Sequence, residues 1–210
     1  MKALISGASG NVGSALVELF KENGADYDTV SSRVGTWDEI GKQVGYGYDL
    51  VVLANGVQEP IALCDVTEHG FERILWGNLG FAAGVVHHSI SRINPGALFV
   101  FFSSIQATQP RFGRGVYAAA KGGIESLMRA TAVEVGDINA RAVALRLGQM
   151  TTQMKGVTFS ETQKQFLQNK CPLGWVTPED VAKMVVDLYY QPSITGTVIE
   201  ISSGQNLNIW

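Results

Sequence analysis

Three residues stand in an arrangement suited to moving a proton. Tyr117 and Lys121 are four apart in the run Tyr117-Ala-Ala-Ala-Lys121, so on a helix the phenol and the ammonium share a face. Ser104 lies thirteen residues before Tyr117, at the end of the apolar run Leu98-Phe99-Val100-Phe101-Phe102. A strand ending there would set its hydroxyl where a carbonyl oxygen could bridge it to the phenol. A phenol with an ordinary pKa of about 10 transfers protons poorly at neutral pH, and a neighbouring cation favours its ionised form. Lys121 is expected to act on Tyr117 in that way, making it a general acid and base.

Such a trio needs elements to position it. Apolar runs and amphipathic stretches alternate along the chain and predict strands at 2–6, 27–31, 50–54, 97–103, 141–147 and 197–202. Helices are expected at 11–23, 37–44, 67–92, 116–135 and 178–190. This alternation implies crossover units and a parallel sheet, hence an α/β fold. The continuous apolar runs Leu50-Val51-Val52-Leu53 and Leu98 to Phe102 suit strands covered by helices on both faces.

Length and composition narrow the functional classes. The chain has 210 residues, a net charge of −3 and scattered Lys and Arg, a pattern of one domain over 1–210 without an electrostatic footprint for nucleic acid. No apolar stretch reaches membrane-spanning length, since 81–86 is followed at once by His87 and His88. Met1-Lys2 leads directly into a strand-like run, so a signal peptide is not expected. Cys64 and Cys171 have no CxxC context, and both are read as spectators in a reducing cytoplasm. His69, His87 and His88 lack a completing ligand set, so no metal is expected.

The first strand empties into Ser6-Gly7-Ala8-Ser9-Gly10-Asn11-Val12-Gly13 and then an amphipathic helix. Glycines at a strand-to-helix turn let backbone amides approach a pyrophosphate, and the helix N-terminus favours an anion. A dinucleotide would fit, though the usual GxGxxG spacing is absent. The second strand ends at Val30-Ser31-Ser32-Arg33. An acidic residue there would hold a ribose 2′-OH, whereas neutral Ser32 and cationic Arg33 accommodate a 2′-phosphate, so NADP(H) is favoured over NAD(H).

Together these segments resemble the short-chain dehydrogenase/reductase family. The resemblance runs through the glycine loop, Ala54-Asn55-Gly56, Trp76-Gly77-Asn78-Leu79, Ser104, Tyr117-x-x-x-Lys121, the segment from Leu147-Gly148 to Met154, and Thr177-Pro178-Glu179-Asp180. It implies a Rossmann-type doubly wound parallel sheet in three α/β/α layers. It further implies a catalytic tetrad: Tyr117 as acid/base, Lys121 lowering its pKa and bonding the nicotinamide ribose, Ser104 orienting the substrate carbonyl, and Asn78 holding a water that links Lys121 to solvent. Cofactor contacts are implied for Gly7, Ser9, Gly10, Asn11, Val12, Gly13, Ser32, Arg33, Ala54, Asn55, Gly56, Gly148, Met150 and Thr152, besides Tyr117 and Lys121. Ile105, Gln106, Phe112, Gln149, Met154 and Phe159 are the implied lining for a small carbonyl or alcohol substrate.

The chain also departs from the family. Gly10 and Asn11 give a GxxGxxG spacing, Leu147-Gly148 replaces Pro-Gly, and Ala54-Asn55-Gly56 rearranges Asn-Ala-Gly. Only sixteen residues separate Arg33 from Leu50, so one strand fewer is expected and Trp37 belongs to a short replacement helix, as core or as a cover for adenine. Arg146, a charge on an apolar strand, needs a partner, and a structural ion pair is expected ahead of substrate binding. Arg111 and Arg114 stand near the pocket mouth, where they are either solvated or attract an anion. The leading reading is an NADP(H)-dependent ketone/aldehyde reductase or alcohol dehydrogenase. The alternatives are a dehydratase or epimerase using the same tetrad, or a non-catalytic NADP(H) sensor, against which the intact tetrad argues. By resemblance the chain pairs through helices near 78–92 and 116–135 as a homodimer or homotetramer.

Overall fold

The computed structural model describes residues 1–31, 33, 35–151 and 160–207. Its strands are β1 (Lys2–Ser6), β2 (Asp26–Val30), β3 (Tyr48–Leu53), β4 (Ile93–Ser104), β5 (Arg141–Leu147) and β6 (Val198–Ile201). All pair in parallel, in the order β2-β1-β3-β4-β5-β6. The helices are α1 (Asn11–Glu22), α2 (Trp37–Gly41), α3 (Glu68–Leu75), α4 (Phe81–Ser89), α5 (Gly115–Glu134), α6 (Glu161–Asn169) and α7 (Pro178–Tyr189).

Successive strand residues point to opposite faces, and the sequence supplies apolar side chains to both. On one face Leu4, Val51, Phe99 and Phe101 pack with Ile40 of α2, Phe81 and Val85 of α4, and Ile124 and Met128 of α5. On the other, Ile5, Val52, Leu98 and Val100 pack with Leu16 and Phe20 of α1 and Val181 and Val185 of α7. This is the doubly wound three-layer α/β/α arrangement expected. Each fully buried Leu, Ile, Val or Phe side chain contributes about 1.5–3 kcal/mol, so the two layers hold the sheet rigidly between them. Helix starts are set locally: Thr67 caps the Gly70 amide, Thr177 caps the Asp180 amide ahead of Pro178, and Thr36 forms a capping box with Glu39.

Three local expectations are corrected. The helix expected over 67–92 is α3 and α4 joined by a π-helical turn, Trp76–Gly80, because the Asn78 side chain donates to the Ile74 carbonyl at 2.8 Å and enters the backbone ladder. Helix α6 was not legible as a stripe, since its described apolar contribution is slight; its signal was the reciprocal capping of Ser160 and Gln163. Strand β4 begins four residues earlier than expected, with Ile93 beside Tyr48 before a shift in register.

The short connection after Arg33 has the expected effect of leaving β2 at the sheet edge. Helix α2 lies against α4, with the Trp37 indole donating to the Gly80 carbonyl at 3.1 Å and stacking on His87. Trp37 stays 40% exposed, so it is a cap on α4 and not core.

Candidate active site

The first connection leaves β1 for β2 on one side, and the chain then crosses to β3 on the other. The carboxyl ends of β1 and β3 therefore flank a topological switch point, where open α/β sheets hold ligands. Gly7 follows β1 with φ +70, and a Cβ there would lie 2.7 Å from backbone atoms of Ala54 and Asn55. A Cβ on Gly13 would stand 2.1 Å from the Gly7 carbonyl oxygen. Both glycines are thus required by close backbone packing at the crevice. Gly10 supplies no capping side chain to α1, and Ser9 is exposed beside it. This cradle, bare of side chains at a helix N-terminus, fits the pyrophosphate of a dinucleotide. Val12 is buried under the turn, and Asn11 is half-buried.

Asn55, one of the expected cofactor contacts, is held in place by protein partners. Its side chain accepts from Ser6 Oγ at 3.0 Å and donates to the Gly77 carbonyl at 3.0 Å, so it ties the ends of β1 and β3 to the π turn. Ala54 and Gly56 flank it, half-buried and exposed. Arg33 follows β2 on the same edge, exposed, its amide donating to Ser31 Oγ. Ser32, Thr152, Met154 and Phe159 lie outside the described residues.

Tyr117 and Lys121 sit on one face of α5, and Ser104 ends β4 opposite them; all three are buried. The Lys121 ammonium donates to the Phe102 carbonyl at 2.8 Å and lies 5.6 Å from the Tyr117 ring centroid. The Asn78 amide is fixed by the Val57 and Ile74 carbonyls, each at 2.8 Å, while its Oδ1 is buried with no protein donor. An orphaned acceptor of this kind suits a bound water.

Burial dominates the electrostatics of the site. Burial pushes the Tyr117 phenol up to about 12, opposed by its hydrogen bond with Ser104 and by the charge of Arg114. Burial also pushes Lys121 down to about 8. Lys121, expected to favour the ionised phenol, donates its ammonium to the Phe102 carbonyl, and the charge of Arg114 also favours the ionised phenol.

Gly148 is held by sheet packing, since a Cβ would lie 2.6 Å from Ser202 Cα. Met150 bridges to Val176 and packs on the core layer of α1 and α7. Of the substrate candidates, Ile105 and Gln106 are buried beside Ser104, with Gln106 Oε1 unpartnered. The Gln149 backbone amide donates to Gln205 Oε1 at 2.7 Å. Phe112 is 94% exposed, so it stands at the rim and lines no enclosed pocket.

Arg146 makes the expected ion pair. Its Nε and Nη2 donate to the two oxygens of Glu125, each at 2.9 Å, and Ser103 Oγ donates to the same carboxylate at 2.8 Å. Glu125 was not singled out from the sequence, although its place four residues after Lys121 and eight after Tyr117 was a usable signal. The network joins α5 to β4 and β5.

Comparisons with known proteins agree with this fold. Residues 28–206 match the family model described as enoyl-(acyl carrier protein) reductase. The chain is 27% identical over 240 residues to a 3-oxoacyl-[acyl-carrier-protein] reductase of Chlamydia pneumoniae, covering 97% of this chain and 96% of that one. It is 24% identical over 195 residues to carbonyl reductase family member 4 of Xenopus laevis, covering 91% and 77%. A short-chain dehydrogenase/reductase structure from Brucella melitensis superposes with a TM-score of 0.86 at 19% identity, covering 97% of this chain and 95% of that one. A small-chain dehydrogenase in complex with NADPH reaches 0.86 at 17% identity, with 98% of each chain covered. With that fold, that cradle and those matches, the chain belongs to the short-chain dehydrogenase/reductase family of NAD(P)-dependent oxidoreductases.

Proposed function

We propose that the protein is an NADP(H)-dependent oxidoreductase that interconverts a ketone or aldehyde and an alcohol, with Tyr117 as the proton donor. The observation that carries this reading is the burial of Tyr117 and Lys121 on one face of α5, with Ser104 buried at the end of β4. Two hydroxyls converging on one point can hold the oxygen of a carbonyl as it becomes an alkoxide. The dinucleotide, when bound, supplies or takes up the hydride.

The residues of the chain do the rest. Gly7, Gly10 and Gly13 give the pyrophosphate access to the backbone, and Arg33 balances a 2′-phosphate. Ser104 orients the carbonyl, and Tyr117 delivers the proton. A phenol held at about 12 is protonated at neutral pH, which suits reduction, the direction that consumes a proton. Lys121, pinned to the end of β4, is positioned to contact the ribose, and Asn78 Oδ1 to hold a water on its route to solvent. Free Cys64 and Cys171 fit a cytoplasmic setting. Assembly as a homodimer or homotetramer through α4 and α5 belongs to the same proposal.

Fluorescence titration with NADPH and NADH, and a panel of ketones and aldehydes followed by NADPH absorbance, test it. NADPH is expected to bind tighter, with Arg33→Ala erasing the difference. Tyr117→Phe is expected to abolish turnover while NADPH still binds. Near-normal turnover in Tyr117→Phe would overturn the mechanism, and equal or tighter NADH binding would overturn the assignment of Arg33.

A further inference from the structure

A cavity of about 180 Å³ opens beside the turn that follows Ser104, lined by Ile105, Gln109, Arg111, Phe166, Lys170 and Gln205 among others. Among the described residues, both charged groups on its wall are cations and no carboxylate lines it. Arg114, three residues along from Arg111 and one helical turn before Tyr117, is not part of the lining but stands near enough to Arg111 to feel its charge. Its Nη1 is buried with no hydrogen-bond partner. Burial pulls Arg114 below its ordinary guanidinium range, the Tyr117 phenol acts to raise it, and the like charge of Arg111 lowers it again. Among the described residues, none of the ion pairs includes Arg111, Arg114 or Lys170.

The sequence has the same bias. The chain carries 19 acidic and 16 basic residues, yet residues 105–124 and 162–178 contain no Asp or Glu at all. Ile105, Gln109 and Arg111 of the first segment and Phe166 and Lys170 of the second line the cavity. Solvated arginines at a loop tip would need no explanation, but a guanidinium nitrogen shut away from water without an acceptor is costly. Two guanidiniums that repel each other lose that repulsion when an anion joins them, and their fork geometry matches carboxylate and phosphate oxygens.

We propose that the substrate is anionic, bearing a carboxylate or phosphate at the end remote from its carbonyl, and that Arg111 and Arg114 receive that anion. This rests on the oxidoreductase reading above, with the reacting carbonyl between Ser104 and Tyr117. In the reaction a hydride from NADPH adds to the carbonyl carbon and the Tyr117 proton to the oxygen, giving a hydroxy acid or hydroxy phosphate and NADP⁺. The cations also draw the substrate in, an effect that salt screens over a Debye length of about 8 Å.

Two experiments test the proposal. The first measures kcat/KM with NADPH for levulinate against methyl levulinate, and for dihydroxyacetone phosphate against dihydroxyacetone. At least one anionic member is expected to exceed its neutral partner by about tenfold or more at low ionic strength. Which pair shows the larger ratio tells carboxylate from phosphate. The ratio is expected to fall towards one in Arg111→Gln and Arg114→Gln, and because it is a ratio it cancels any general loss in a variant. The second needs no turnover: saturation-transfer NMR of octanoate and octanamide, and of inorganic phosphate by line width, on the NADP⁺-loaded protein and on Arg111→Gln. Anion binding that Arg111→Gln abolishes supports the site even where no ketone is reduced, an outcome that would sink the oxidoreductase reading alone. Neutral partners turned over as well as the anions, or an anion preference that survives Arg111→Gln and Arg114→Gln together, would overturn the proposal.

Discussion

Replacing Arg146 by Met is expected to destabilise the protein by about 3 kcal/mol. Glu125 is only 5% exposed and receives both 2.9 Å donors of the Arg146 fork. Without Arg146 its carboxylate keeps one hydrogen bond from Ser103 and a weak attraction from Arg129 at 3.9 Å, whose side chain is 53% exposed. Breaking a buried pair by removing one partner costs about 3–5 kcal/mol. The lower end applies because the Arg146 side chain is 19% exposed and Arg129 is near enough to take up part of the charge. For a chain of this size the loss corresponds to a Tm about 6–12 °C lower. Urea unfolding and calorimetry on Glu125→Met, Arg146→Met and the double variant complete a cycle. The double variant is expected to recover most of the loss, since two apolar side chains leave no unpaired charge.

The same pair has a pH signature. Burial acts to raise the Glu125 carboxyl, but the hydrogen bonds from Arg146 and Ser103 outweigh it and hold the group below its ordinary range. A depressed folded pKa means stability that is present above the unfolded value of about 4.3 and lost as pH falls through the folded value. The gap between the wild type and Arg146→Met is therefore widest at neutral pH and narrows in acid. A single-variant loss below about 1 kcal/mol, or two single losses that simply add in the double variant, would refute the claim that a buried carboxylate depends on Arg146.

Lys121 supplies a second stability prediction. Its folded pKa is about 8 against an ordinary 10.5, so between those values the unfolded chain binds more protons and stability rises with pH. Subtracting the Lys121→Met curve from the wild-type curve isolates this rise of about 3 kcal/mol, and a flat difference between pH 8 and 10 would refute it. The two loop glycines should separate sharply. Gly13→Ala drives a Cβ to 2.1 Å from the Gly7 oxygen, so it is expected to abolish NADPH binding and lower Tm by several degrees. Gly10→Ala, with 3.2 Å to the same atom and φ −82, is expected to fold normally and bind within about tenfold of wild type, as measured by fluorescence titration.

Much of the fold was legible because its information is local. Apolar runs such as Leu98 to Phe102 mark strands, and the threonine caps at 67 and 177 mark helix starts. The grouping of Ser104, Tyr117 and Lys121 was legible for the same reason: Tyr117 and Lys121 are separated by one helical turn, and Ser104 by the length of one connection. The π turn was hidden because it depends on where the Asn78 amide finds the Val57 carbonyl, twenty-one residues away. Helix α6 was hidden because polar helix formers leave no apolar stripe, only a capping pair at Ser160 and Gln163.

By itself the sequence determined the element order, the glycine turn at the first strand and the face shared by Tyr117 and Lys121, since each follows from the repeat of a helix or strand. The tertiary structure alone decided what surrounds those groups. It placed Asn55 as a staple between strand ends, gave Arg146 to Glu125, and tied Lys121 to the Phe102 carbonyl. Burial and electrostatic partners are properties of long-range packing, and the Tyr117 pKa of about 12 follows from how many atoms from distant parts of the chain exclude water around it.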